Sequence, residues 1–132
     1  MASPVTSTNT PPVLNMEWYQ SQTVRFQFLI ADGDGNALDL STGYTAEMDV
    51  RETAASSVTL VEASSSGGEI TLLDGSGDYN LQVEIAASEW ANWTAWENLS
   101  WEKAVYDLKL ANGTEIDFLV RGSITVYQSV TR

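Results

Sequence analysis

The sequence contains no cysteine and no histidine. The first absence removes disulfide staples, thiolate metal sites and thiol nucleophiles together, and fits a protein assembled inside a cell. The second removes Ser-His-Asp and Cys-His catalysis, and with both gone zinc loses its usual nitrogen and sulfur ligands. Positive charge is scarce as well: six Lys and Arg stand against eighteen Asp and Glu, for a net charge of −12. A field of that sign repels phosphate backbones and anionic lipid, so neither nucleic acid nor membrane is expected as a partner. Its plainest use is solubility at high local concentration. No apolar run reaches the length that a bilayer-spanning helix needs. Met1-Ala2-Ser3-Pro4 lacks both the basic segment and the apolar core of a secretory signal. No G-x-x-x-x-G-K-[ST] phosphate loop is present, so no cofactor and no metal are expected.

What the chain does have is alternation. With 43% hydrophobic residues in 132, it can bury one core as one domain. Val24, Phe26, Phe28 and Ile30 point one way while Arg25 and Gln27 point the other. The same period of two runs through Tyr44, Ala46, Met48 and Val50, through Tyr79, Leu81, Val83 and Ile85, and through Ala104, Tyr106, Leu108 and Leu110. It continues in Ile116, Phe118 and Val120, then in Ile124 and Val126. Such runs mark strands with one buried and one wet face. Turn residues fall between them, in Asp32–Asn36, Ser64–Gly68 and Asp74–Asp78, and Asn112-Gly113 is a two-residue hairpin signal. Gly122 interrupts the last run and marks a bulge or bend. About eight short strands at this spacing predict an all-β, immunoglobulin-like antiparallel sandwich over residues 13–132.

Two segments stand apart. Residues 1–12 hold all three prolines among Ser, Thr and Asn, and read as an extended N-terminal arm. Ala86 to Trp101 is the one stretch suited to a short helix, with Ser88 as cap, Glu89 in the first turn and tryptophans at 90, 93 and 96. Trp90, Trp93, Trp96 and Trp101 fit three uses: a plug at one end of the core, an anchor for another protein, or a platform for sugar rings.

Acid chemistry is the remaining catalytic option. Two carboxylates suffice for glycoside hydrolysis, but eighteen acids make some pair inevitable and most alternate outward on strands. Asp32-x-Asp34-x-Asn36 begins like a calcium loop, then has Ala37 where the turn glycine belongs and Gly43 where the bidentate Glu belongs. A hairpin turn is the expectation there.

Several strings in order resemble a known group. Phe26-Gln27-Phe28-Leu29-Ile30-Ala31-Asp32 precedes a Gly-rich turn, then Leu38-Asp39-Leu40-Ser41-Thr42-Gly43-Tyr44-Thr45-Ala46-Glu47-Met48-Asp49-Val50-Arg51. Gly68-Glu69-Ile70-Thr71-Leu72, Tyr106-Asp107-Leu108-Lys109-Leu110 and the ending Arg121-Gly122-Ser123-Ile124-Thr125-Val126 with Val130-Thr131-Arg132 follow. Together they resemble small Ig-like virion structural proteins of tailed bacteriophages, of the baseplate-upper-protein, fibre-attachment or decoration type. The chain departs from that pattern between Ser88 and Lys103, where the tryptophans are inserted. The resemblance implies a non-enzymatic tail or baseplate adaptor that joins fibres. It implies alternatively a capsid or tail decoration protein. It also implies assembly in the host cytoplasm, residence in the virion, other virion proteins as partners and a homo-oligomer. The tryptophans support a separate reading, a carbohydrate-binding receptor-recognition module that meets a host surface glycan. The expected contact residues are Pro4, Val5, Pro11 and Pro12 of the arm with Trp90, Trp93, Trp96 and Trp101.

Overall fold

Alternate residues of the long apolar runs enter a single layer, and two sheets form on either side of it. The structure is a computed structural model, and it describes residues 3–6, 12–19, 21–57, 59–92 and 103–127. Among these residues the strands are β1 (Ser3–Thr6), β2 (Met16–Tyr19), β3 (Val24–Ala31), β4 (Thr45–Arg51), β5 (Val61–Ser64), β6 (Ile70–Leu72), β7 (Leu81–Ile85), β8 (Lys103–Asn112) and β9 (Glu115–Tyr127). One sheet has the order β1-β3-β7-β6 and the other β2-β9-β8-β4-β5. In immunoglobulin lettering these are A-B-E-D facing G-F-C-C′, with β2 as a second part of A beside G. The expected all-β sandwich is therefore present. It is antiparallel except at its beginning, where β1 runs parallel to β3 and β2 runs parallel to β9.

The layer between the sheets holds Phe28, Ile30, Ile70, Leu81, Val83 and Ile85 from one side, and Met48, Val50, Val61, Leu108, Val120 and Ile124 from the other. Leu40 and Leu60 are buried from loops, and Trp18 of β2 joins the same cluster. Each such side chain contributes about 1.5–3 kcal/mol by leaving water. Asp32–Asn36 is a hairpin turn, as expected: Asp32 Oδ1 accepts from the N–H of Asp34 and of Asn36, at 2.9 and 3.0 Å. Asn112 ends β8 opposite Glu115, so the next hairpin turns on Gly113 and Thr114, one residue later than the Asn-Gly signal. Gly113 has φ 63, which the first position of a primed turn demands. After β7, Ala87–Asn92 is a 3₁₀ helix in which Ser88 is the second residue and not the cap; the rest of the expected helical segment, 93–101, lies outside the described residues.

The last strand corrects one expectation. Leu108 pairs with Val120 but Lys109 pairs with Phe118, so Leu119 is an extra residue in β9. This bulge reverses the phase of the strand: Leu119 and Val120 are both buried, while Ile116 and Phe118 turn outward to the Lys109 side. The two residues expected in the core are thus 56% and 45% exposed.

Gly122 does something other than make that bulge. The segment ahead of β2 runs beside β9, with Arg121 N–H donating to the Pro12 carbonyl at 3.1 Å and Leu14 N–H to the Arg121 carbonyl at 2.8 Å. A regular parallel ladder would next send Ser123 N–H to the Leu14 carbonyl. That carbonyl instead accepts from the buried Tyr106 hydroxyl at 2.7 Å, and Ser123 N–H takes Asn15 Oδ1 at 3.0 Å. Burial raises the Tyr106 hydroxyl above its ordinary range, so it stays a donor. The diverted carbonyl crosses Gly122 so closely that a Cβ there would lie 2.0 Å from the Leu14 oxygen. Only glycine fits.

A second side chain also stands in for backbone. Asn80 is the buried polar residue of the described core. Its Oδ1 accepts from Ile30 N–H at 2.7 Å, and its Nδ2 donates to the carbonyls of Ile30 and Leu38, both at 2.8 Å. Its own N–H reaches the Phe28 carbonyl and its carbonyl accepts from Leu73 N–H. Every hydrogen-bonding group of the residue is satisfied, and three chain segments are tied at one point.

Three substitutions test these ties. Asn80→Leu strands one N–H and leaves two carbonyls short, and Asn80→Asp turns a carboxylate oxygen toward those carbonyls. Each is expected to lower unfolding free energy by about 3 kcal/mol or more in urea titration; an unchanged midpoint would refute the assignment. Gly122→Ala is expected to cost about 3 kcal/mol and to speed amide exchange at Leu14 and Ser123, as the Pro12–Tyr19 segment is displaced.

Candidate functional site

The two outer faces differ in kind. On the four-stranded sheet, Arg25 meets Glu84 at 2.7 Å and Gln27 meets Gln82 at 2.7 Å, so polar groups satisfy one another across β3 and β7. Arg25 holds the Glu84 carboxyl below its ordinary range by that hydrogen bond and by charge. On the five-stranded sheet the outward residues are Glu47, Asp49 and Arg51 of β4, Val105, Asp107 and Lys109 of β8, and Phe118, Arg121 and Ser123 of β9. With Val13 they line a shallow groove of about 820 Å³. Val13 is 60% exposed, so three large apolar side chains, Val13, Ile116 and Phe118, stand in water along one margin.

Charge across this face follows the strand register. Lys109 Nζ lies 3.1 Å from Glu47, whose hydrogen bond and charge raise the lysine's pKa, and Arg51 lies 3.5 Å from Asp49. Asp49 stands directly opposite Asp107. Partial burial and then the charge of Asp49 push the Asp107 carboxyl up, against the opposing pull of Lys109 and Arg51. Arg121 is opposite Asp107 on the other side, yet among the described residues no ion pair holds its guanidinium. Further along β9, the exposed Tyr19 and Tyr127 rings stack at 5.1 Å.

The contact residues expected from the sequence are placed as follows. Pro4 and Val5 lie in β1, opposite Leu29 and Ile30 at the edge of the four-stranded sheet. Pro12 is exposed and bonded through its carbonyl to Arg121 of the groove-lining strand. Trp90 lies in the 3₁₀ helix. Pro11, Trp93, Trp96 and Trp101 lie outside the described residues. The groove itself was not among the expected contact surfaces. Its signal is Leu119-Val120, two adjacent apolar residues that break the period of two and so move Ile116 and Phe118 to the opposite face.

Among the described residues, no three acidic side chains converge as a ligand set for a metal ion, and no helix is long and apolar enough to cross a membrane. What this face offers is a groove, the exposed Val13, Ile116 and Phe118 at its margin, and fixed charges of both signs, which are the means of docking. No protein-family model matches the chain, and no curated protein matches it.

The raised Asp107 carboxyl gives a pH test. A carboxyl whose folded pKa lies above its unfolded value opposes folding once it ionises, and that penalty fades as pH falls through the folded value. In dilute protein, Asp107→Asn is therefore expected to raise the urea midpoint at neutral pH, with the gain over wild type shrinking in acid. A gain that grew in acid would contradict the assignment.

Proposed function

We propose that this chain is a non-enzymatic structural subunit of a tailed-bacteriophage virion, an adaptor of the tail or baseplate at a fibre-joining position. The observation that carries the reading is the outer face of the five-stranded sheet: exposed Val13, Ile116 and Phe118 beside a register of fixed charges, on an Ig-like sandwich. A water-soluble domain keeps large apolar groups outside where another surface covers them. The order of strings from Phe26 to Arg132, which resembles that of small virion proteins, supports the same reading. Asp49 and Asp107 are the arrangement on this face nearest to acid–base chemistry. We read them as part of the charge register, because Arg51 sits on Asp49 and the groove is open to solvent.

In this role the face docks to a neighbouring virion protein, and the arm and the tryptophan segment supply further contacts. A decoration role on capsid or tail uses the same surfaces at higher copy number, and a receptor-recognition role would use the tryptophans against a host glycan.

Mass spectrometry of purified particles of the phage that encodes the chain tests this directly. The chain is expected in the particle at a low copy number matching a symmetric tail position. Enough copies to cover a shell or tube would move it to decoration, and absence from particles would sink the proposal. Phe118→Ser, at an exposed site, is expected to change stability by no more than about 0.5 kcal/mol and to reduce incorporation. Removal of residues 1–12, which takes away the edge strand β1 and the Pro12 carbonyl that Arg121 uses, is expected to abolish incorporation and to lower stability, with circular dichroism showing a sandwich that still folds. Glycan-array binding by purified chain, lost on Trp93→Ala or Trp96→Ala, would replace the adaptor role with receptor recognition.

A further inference from the structure

We infer that the outer face of the five-stranded sheet packs against the same face of a second copy of this chain, about a two-fold axis running along the strands between β8 and β9. The inference rests on that face being the docking surface, and it names the occupant.

Charge singles out the occupant. The whole chain carries eighteen acids against six bases, so two copies repel over most of their surfaces. In the groove Glu47, Asp49 and Asp107 are balanced by Arg51, Lys109 and Arg121, half of all the cations in the sequence. Two like-charged chains can approach closely where each is locally neutral.

The register then matches the face to itself. Across β8 and β9 the outward pairs are Asp107 with Arg121, Lys109 with Phe118, and Ala111 with Ile116. An axis between these strands exchanges the members of each pair between copies. Asp107 of each copy comes to lie over the unpaired Arg121 of the other, the Lys109 stem and ammonium over the Phe118 ring, and the Ala111 methyl over Ile116. Packed sheets rotate by about 30°, so register is kept best near the axis, where these residues lie. The contact also gives Asp107, crowded by Asp49, an opposite charge. The axis leaves β5 without a counterpart, so four strands and about seven residues of each make a patch of about 19 by about 23 Å. The two copies together bury about 900 Å², the size of a weak, reversible interface.

Sedimentation equilibrium of the full chain, from micromolar to near-millimolar concentration, tests it with Arg121→Glu and Asp107→Arg. Wild type is expected to show a monomer–dimer equilibrium. Each variant alone brings like charges together twice and is expected to weaken the dimer about a hundredfold. An equal mixture of the two is expected to restore dimers, because both contacts in the mixed pair are again opposite in sign. Far-UV circular dichroism and urea midpoints establish that each variant is folded. A wild type that stays monomeric, a dimer that survives both single variants, or a mixture that fails to pair overturns the inference. If wild type is monomeric while Phe118→Ser is still lost from particles, the face docks a different virion protein. If Phe118→Ser incorporates normally, the docking reading falls as well.

Discussion

One extra residue in β9 decides what this molecule presents to its surroundings. A strand reverses faces with every residue, so the insertion of Leu119 against a continuous β8 moves everything before it to the opposite side. Without the bulge, Ile116 and Phe118 would follow Val120 inward, and the outer face of the five-stranded sheet would be an ordinary polar surface. With it, Leu119 takes a place in the core and Ile116 and Phe118 stand outside, next to Ala111 and Lys109. The gain is an exposed apolar margin, placed by the longest hairpin of the fold.

In each sheet an asparagine side chain stands in for backbone hydrogen bonds. Asn15 gives Ser123 the acceptor that Leu14 withholds, and Asn80 gives Ile30 a donor and an acceptor on the side away from β1, beyond the last pair of β3 with β7. An amide side chain carries the same two groups as a peptide bond and can complete a ladder from outside it. The consequence is rigidity at the sheet edges. At one edge the Pro12–Tyr19 segment is held against β9, and at the other site the loop through Leu38 is held to β3 and β7. The Asn80 site leaves every buried polar group there satisfied, which is what a sandwich without disulfides requires.

Much of the architecture was legible in the sequence, because burial by alternation is a local signal. Met48, Val50, Leu81, Val83, Leu108 and Ile124 fell where the period of two put them. The hairpins at Asp32–Asn36 and near Gly113 were also readable, since turns select residues by their own backbone angles. What escaped was non-local. A bulge depends on the partner strand's count, and nothing in Ile116-Asp117-Phe118-Leu119-Val120 alone says which residue is the extra one. Gly122 was noticed, but its reason lies in the Leu14 carbonyl, more than a hundred residues earlier in the chain. Asn80 fell on the wet side of the Tyr79–Ile85 alternation, yet it is fully buried. Among the described residues, the core takes Trp18, the tryptophan outside the cluster. The candidate face was missed for the same reason as the bulge that creates it.

The parallel pairing of β2 with β9 has a temporal side. Met16 meets Ile124 and Tyr19 meets Tyr127, so the first strand of this sheet pairs with the last. During synthesis the early segment must wait, open-edged, until nearly the whole domain has left the ribosome, and closing so large a loop is slow. In the interval β8 and β9 can zip by themselves through their short turn, but the core stays uncovered where Trp18 will sit. The tie from Tyr106 to Leu14 is thus among the last to form, and it acts as the latch that ends a vulnerable period in the birth of the chain.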